Sequence, residues 1–323
     1  MPAVIETKDL TKRYGPLIAV DALSLSVEQG AIFGFVGPNG AGKTTTMRML
    51  TTLLQPTSGE AWVAGSSVTR NPRGVRRAIG FMPDFFGVYD DMKVWEYLDF
   101  FAACYEIPAA TRTRLVKDLL ELVDLTHRRD DMVDTLSRGM KQRLCLARTL
   151  AHDPQVLILD EPASGLDPRA RIEIRELLLE LSRLGKTIFF STHILADVAE
   201  ICTQVGIVEA GRLVAQGNLD DMQRRLQPHR RLHVTLLGRL DEARQGLAGR
   251  EGVLAVTVAE APAAARSSPP GAPVLDVDFT GDDAAVSRLL QDLVNQGMPV
   301  LRFTETVHDL EDVFMQATKG IVS

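Results

Sequence analysis

Eight residues, GPNGAGKT from Gly37 to Thr44, constrain this chain more than any other segment. They follow a continuous apolar run, Ala31 to Val36 (AIFGFV), and lead into a helical run from Thr44 to Leu54. A run apolar at every residue suits a strand buried on both faces of a parallel sheet. Strand, glycine-rich turn and helix form the setting in which this pattern cradles phosphate. Glycines let backbone amides wrap the phosphate oxygens, and the helix N-terminus adds partial positive charge. Lys43 then reaches the β- and γ-phosphates, and the Thr44 hydroxyl is placed to ligate Mg²⁺.

A second segment, VLILDEP from Val156 to Pro162, ends an apolar strand on two carboxylates. Open α/β sheets bind ligands at the C-terminal ends of their strands. There Asp160 would hold Mg²⁺ through water, while Glu161 points differently and can polarise a water for in-line attack on the γ-phosphate. Alone, such a strand end is an ordinary acidic terminus; beside a phosphate loop it gains a purpose.

Around these segments the pattern is that of an α/β chain. Leu23, Leu25 and Val27 alternate with Ser24 and Ser26 like a half-buried strand. Thr187 to Ser191 (TIFFS) is another buried strand, and Ile174, Leu177, Leu178 and Leu181 mark a helix before it. Asp167 is its expected N-cap, Pro168 its first residue and Gly185 its terminator. Residues 85 to about 150 read as largely helical. After Gly217 the composition turns richer in Arg, Ala and Pro, and a second unit follows in the order βαββαβ. That order resembles a ferredoxin-like split βαβ module. Its middle connection, 261–273 (APAAARSSPPGAP), is expected to be a flexible loop, and a short helix at Leu310–Ala317 closes the chain.

With 36 Lys plus Arg against 42 Asp plus Glu, the net charge of −6 has the wrong sign for wrapping nucleic acid, so no nucleic-acid partner is expected. Three cysteines, Cys104, Cys145 and Cys202, are odd in number and set among apolar residues, which predicts reduced core thiols and a cytoplasmic setting. No segment approaches 18 uncharged apolar residues, and the N-terminus lacks a secretory pattern. A membrane role therefore requires another chain to span the bilayer.

The order of motifs from about residue 3 to 217 resembles the ATP-binding cassette ATPases of ABC transporters. The resemblance implies a P-loop NTPase fold with a RecA-like core, a β subdomain and a helical subdomain at about 85–152. It places ATP on Gly37, Pro38, Asn39, Gly40, Ala41, Gly42, Lys43, Thr44 and Thr45, with Tyr14 of KRYG stacking on adenine. LSRGMKQR (Leu136–Arg143) resembles the signature motif, whose Ser137, Arg138, Gly139 and Met140 would meet the γ-phosphate of ATP held by a second chain. Ser164, Gly165, Leu166 and Asp167 resemble the D-loop between the two chains. His193 matches the switch histidine that orients the attacking water and Glu161. Taken singly, Ser137 is equally a helix N-cap, His193 a satisfied core histidine and Tyr14 a strand aromatic.

Two departures stand out. Asp84 occupies the place of the family's usual glutamine and could touch Mg²⁺ through water, together with Thr44 and Asp160. Arg138 and Met140 replace the signature's usual glycine and glutamine. The aromatics Phe85, Phe86, Tyr89, Trp95, Tyr97, Phe100 and Phe101 are mostly core by expectation, although in the family this region receives a helix of the membrane subunit, which suggests that Phe85 or Phe86 contacts it.

The implied partners are a second copy or a homologous ATPase subunit, and an integral membrane permease that holds the protein on the inner face of the membrane. Residues 1–218 would form the cassette and 219–323 an accessory or regulatory unit, as in daunorubicin-resistance-type exporters. An importer ATPase whose C-terminal unit senses a small ligand remains a second reading. ABC-type ATPases acting on DNA or ribosomes form a third, although no long heptad insertion or tandem cassette is present. A catalytically silent scaffold conflicts with the presence of Lys43, Asp160, Glu161 and His193.

Overall fold

A computed structural model describes residues 2–84, 87, 91–219, 221–222, 229–259 and 274–306. Phe85, Phe86 and Tyr89, the 261–273 connection and the closing helix at 310–317 lie outside the described residues. The chain divides into two compact units, the second beginning at Asp221.

The first unit opens with β1 (Ala3–Tyr14), β2 (Leu17–Leu23), β3 (Ser26–Glu28) and β4 (Ile32–Val36), followed by α1 (Lys43–Leu50), β5 (Ser58–Val63) and β6 (Ser66–Ser67). Then come α2 (Pro72–Ala78), β7 (Ile79–Met82), α3 (Val94–Cys104), α4 (Ala109–Leu122), α5 (Arg138–Leu150), β8 (Val156–Leu159) and α6 (Pro168–Arg183). It closes with β9 (Thr187–Thr192), α7 (Leu195–Ile201), β10 (Gln204–Glu209) and β11 (Arg212–Asn218). An antiparallel sheet runs β2-β1-β5-β6 with β3 also paired to β1. The central sheet runs β11-β10-β4-β9-β8-β7 and is parallel from β10 to β7.

Every residue of β4, β8 and β9 is buried, as the apolar runs of β4 and β8 require; in β9 the buried residues include Thr187, Ser191 and Thr192. Their side chains divide by strict alternation between two cores. Ile32, Leu157, Leu159, Ile188 and Phe190 face the core shared with α3 to α6. Phe33, Phe35, Val156, Ile158 and Phe189 face the core shared with α1 and the antiparallel sheet. Phe33 stacks on Phe189 with ring centroids 5.2 Å apart.

Three expectations change at residue level. The helix after the phosphate loop ends at Leu50 rather than Leu54, because Thr52 turns left-handed (φ +63°) and the Leu53 and Thr52 amides bond back to the Arg48 and Met49 carbonyls. That is a Schellman stop built without glycine. The Leu23–Val27 alternation keeps its burial but not one continuous strand. The Thr7 hydroxyl enters the ladder there, donating to the Leu23 carbonyl and accepting from the Leu25 amide, both at 2.9 Å. Among the cysteines Cys145 is buried and Cys202 partly so, but Cys104 is exposed. It falls off the face of α3 that buries Val94, Tyr97, Leu98 and Ala102. Burial pushes the Cys145 thiol up to about 11 and raises that of Cys202 as well.

Of the described aromatics, Tyr97 is buried, Trp95 and Phe101 pack against the helical core, and Phe100 is exposed. Beside them His152 stacks on Tyr105 at 3.9 Å, and its Nε2 lies 2.8 Å from the Ile79 carbonyl. A carbonyl only accepts, so the proton belongs on Nε2; Nδ1 is buried without a partner. Burial holds this imidazole below its usual 6.5. The folded chain thus binds fewer protons than the unfolded chain in that range, and stability falls as pH drops through 6.5. His152→Gln, which can still donate to Ile79, is expected to flatten the pH slope of stability between about pH 7 and pH 5. Equal slopes of urea midpoint against pH in variant and wild type would refute the burial argument.

The second unit comprises β12 (Arg230–Leu236), α8 (Leu240–Leu247), β13 (Val253–Ala259), β14 (Val274–Phe279), α9 (Asp283–Asn295) and β15 (Val300–Thr306). Its antiparallel sheet runs β13-β14-β12-β15. Leu232, Val234, Leu275, Val277 and Phe279 alternate inward against Leu247 of α8 and Leu289 and Leu293 of α9. Asp282 caps α9, accepting from the Ala285 amide at 2.8 Å.

Candidate active site

The loop leaves β4 at Val36 and enters α1 at Lys43. Two of its glycines are required by close approach. A Cβ on Gly37 would stand 2.3 Å from the Val208 carbonyl oxygen, and one on Gly42, where φ is +94°, would stand 2.4 Å from that of Ala19. Asn39 and Gly40 are exposed at the tip. The Ala41 amide donates to Pro38 within the loop, and the Thr46 amide makes the first helical bond, to Gly42. The amides of Lys43, Thr44 and Thr45 therefore have no acceptor within α1.

Lys43 is 7% exposed and folds back over the loop, donating to the carbonyls of Gly37 (2.7 Å) and Pro38 (3.1 Å). Its ammonium lies 3.7 Å from Glu161 Oε1. Burial lowers its pKa, against the raising charges of Glu161, Asp160 and Asp84.

At the end of β8, Asp160 is 1% exposed and accepts from the Ser191 hydroxyl at 2.6 Å. The same hydroxyl accepts the Glu161 amide at 2.9 Å. Glu161 adopts φ +50°, a left-handed turn that costs about 1–2 kcal/mol. Parallel pairing of Leu159 with Phe190 brings the ends of β8 and β9 level, so His193 follows directly beside Glu161. His193 Nδ1 lies 3.1 and 3.0 Å from the two Glu161 oxygens.

A cleft of about 350 Å³ joins these groups: Tyr14, Leu17 and Ala19 on one side, Asn39 to Thr45 along the loop, and Asp84 and Glu161 opposite. Tyr14 and Leu17 are exposed at its rim, and Lys12 lies 5.3 Å over the Tyr14 ring. Burial and the neighbouring Asp160 and Glu161 charges raise the Asp84 carboxyl, against Arg138 and His193. Three carboxylates around one ammonium leave an excess of negative charge. Their oxygens and the Thr44 hydroxyl are hard donors of the kind a small divalent cation takes beside phosphate oxygens, although among the described residues no three His, Cys, Asp or Glu side chains converge to hold a metal by themselves.

The signature and D-loop residues do not line this cleft. Ser137 is the N-cap of α5, its hydroxyl accepting the Met140 amide at 3.3 Å. Arg138 donates to the Ser164 carbonyl at 3.2 Å, and a Cβ on Gly165 would stand 2.5 Å from its guanidinium. Gly139 lies against α6, where an added Cβ would stand 3.1 Å from that of Ala170. Asp167 caps α6 through the Ala170 amide, leaving Leu166 buried. Gln142 donates to the Pro162 carbonyl at 2.6 Å, tying α5 to the residue after Glu161. Sequence reasoning missed Ser191 and Gln142; a serine inside the apolar run TIFFS was the available signal for the first.

A family model described as ABC transporter matches residues 20–164. Nod factor export ATP-binding protein I of Ralstonia nicotianae is 41% identical over 214 residues, covering 66% of this chain and 67% of that protein. The chain belongs to the ABC transporter ATP-binding proteins. Bacitracin transport ATP-binding protein BcrA of Bacillus licheniformis is likewise 41% identical, over 70% of this chain and 73% of its own. A solved ATP binding subunit of an ABC transporter superposes with a TM-score of 0.63 at 31% identity, covering 69% of this chain and 93% of that one. The structure of cbiO1 from Clostridium perfringens, part of the ABC transporter complex cbiONQ, gives 0.61 at 27% identity over 71% and 96%. This ATP-binding subunit has, among its described residues, no helix long and apolar enough to cross a membrane.

Proposed function

We propose that this subunit hydrolyses ATP, with Glu161 as the general base, and energises export through a separate membrane-spanning permease. The observation that carries the reading is the Glu161 carboxylate, in contact with His193 at 3.0 Å and with Lys43 at 3.7 Å at the mouth of the phosphate loop. The first-turn amides and Lys43 hold the phosphates, and Tyr14 at the cleft rim takes the adenine. Mg²⁺, held by Thr44 with Asp160 and Asp84 through water, would neutralise charge on the β- and γ-phosphates. Glu161 accepts the proton of the attacking water, and His193 fixes the direction of that carboxylate.

A single chain leaves the γ-phosphate open on one side. Ser137, Gly139 and the N-terminus of α5 in a second copy supply the missing donors, with Arg138 and Met140 at the contact and Ser164 to Asp167 between the chains. ATP then favours the closed dimer, and hydrolysis releases it. Export is favoured over import by the relatives whose names are Nod factor export and bacitracin transport proteins. We read the second unit as a ferredoxin-like accessory module, supported by its βαββαβ order and its four-stranded antiparallel sheet.

With ATP in EDTA, where turnover stops, the purified chain is expected to sediment as a dimer, and without nucleotide as a monomer. A monomer that binds ATP with unchanged mass would overturn the shared site.

A further inference from the structure

Helices α6 and α7 meet across a buried charge cluster that leaves two polar atoms without partners. Asp197, in the first turn of α7, is 3% exposed; its Oδ1 lies 3.5 Å from Arg175 Nη1, and its Oδ2 is buried with no hydrogen bond. One turn earlier on α6, Arg171 also has a buried Nε with no hydrogen bond. Arg171 and Arg175 are four apart and so share a face of α6. Arg175 is also paired with Glu200 at 2.6 Å. Burial raises the Asp197 carboxyl, against the lowering charges of Arg171 and then Arg175. A buried carboxylate half-satisfied beside an available guanidinium is costly unless the pair closes.

The cluster stands behind the reacting groups. A small pocket of about 10 Å³, room for about one water, is lined by Pro162 and Ala163, by Thr192, and by Arg175 and Asp197. Pro162 directly follows Glu161, and Thr192 directly precedes His193. The Thr192 hydroxyl accepts the Ile194 amide at 3.0 Å, forming the turn that leads from His193 into α7. α6 begins at the Asp167 cap, immediately after the Ser164–Asp167 turn.

We propose that Asp197 is a positioning residue: through Arg175 it holds α7 against α6, and so sets the contact between His193 and Glu161. It touches neither the cleft nor the loop, so its effect falls on turnover rather than on nucleotide affinity. The inference rests on the reading of Glu161 as the base.

The test uses the full chain. Asp197→Asn, nearly isosteric but uncharged, is expected to lower kcat by at least about tenfold while leaving KM for ATP within about twofold. Arg175→Gln should act in the same direction, and its double variant with Asp197→Asn should be no slower than the slower single one, as a shared bridge requires. A kcat at the wild-type level in folded Asp197→Asn, even with a lowered Tm, would reduce the cluster to a structural role and overturn the proposal. Should Asp197→Asn not fold, Arg175→Gln alone decides by the same two readouts. A dead Glu161→Gln beside a normal Asp197→Asn overturns this inference and leaves the base assignment standing; the reverse pattern overturns the base assignment.

Discussion

Glu161→Gln is expected to lower ATP turnover by at least about 100-fold while leaving ATP affinity within about twofold. The amide keeps the shape of the side chain and can still contact His193, but it cannot accept a proton from water. The groups proposed to hold the phosphates, Lys43 and the α1 amides, are untouched. The variant also removes one negative charge 3.7 Å from Lys43, which favours the triphosphate slightly. With binding kept and hydrolysis stopped, the closed dimer should accumulate with ATP even when Mg²⁺ is present. Stopped-turnover assay and sedimentation together check this. Normal turnover would remove Glu161 from the chemistry and leave His193 or solvent as the base.

Lys43→Met should act on the opposite step, weakening ATP binding by about 10- to 100-fold, the range of a charge-assisted hydrogen bond of about 1.5–3 kcal/mol. Methionine fills nearly the same volume but carries no charge. Stability of the nucleotide-free chain should change little, because two effects oppose each other. Two carbonyls, Gly37 and Pro38, lose their donor. The cost of burying the ammonium disappears, a cost visible in its lowered pKa. Because the folded pKa is depressed, wild-type Lys43 binds its proton less well when folded, so this cost is present at neutral pH and is relieved only as pH rises into the alkaline range. Unchanged ATP affinity, measured by fluorescent-analogue titration, would show that the loop amides suffice.

Much of the fold is legible in the sequence because the central strands carry strongly apolar patterns. AIFGFV and VLIL are apolar at every position, and TIFFST has three apolar residues at its centre, a pattern that suits strands covered on both faces. The caps of α6 and the loop spelling were equally direct. The helix stop at Thr52 was not, since a threonine in left-handed conformation has no composition signal and depends on the Schellman bonds around it. Cys104 was misplaced for a related reason: apolar neighbours in sequence do not say which face of α3 a residue occupies.

The amino-acid sequence by itself determined the glycine-rich loop, the paired carboxylates and their order, because each is a local pattern, while the role expected of His193 came from the resemblance to the cassette family. It also marked β4, β8 and β9 as strands covered on both faces; which core each face meets came from the structure. Only the tertiary structure decided how those pieces touch. Parallel register between β8 and β9 gives two adjacent carboxylates different partners, the Ser191 hydroxyl for Asp160 and His193 for Glu161. Asp84 joins the same cleft from the end of β7, and Asp197 meets Arg175 from 22 residues away. Such contacts arise from strand order and helix packing, which no single stretch of the chain encodes alone.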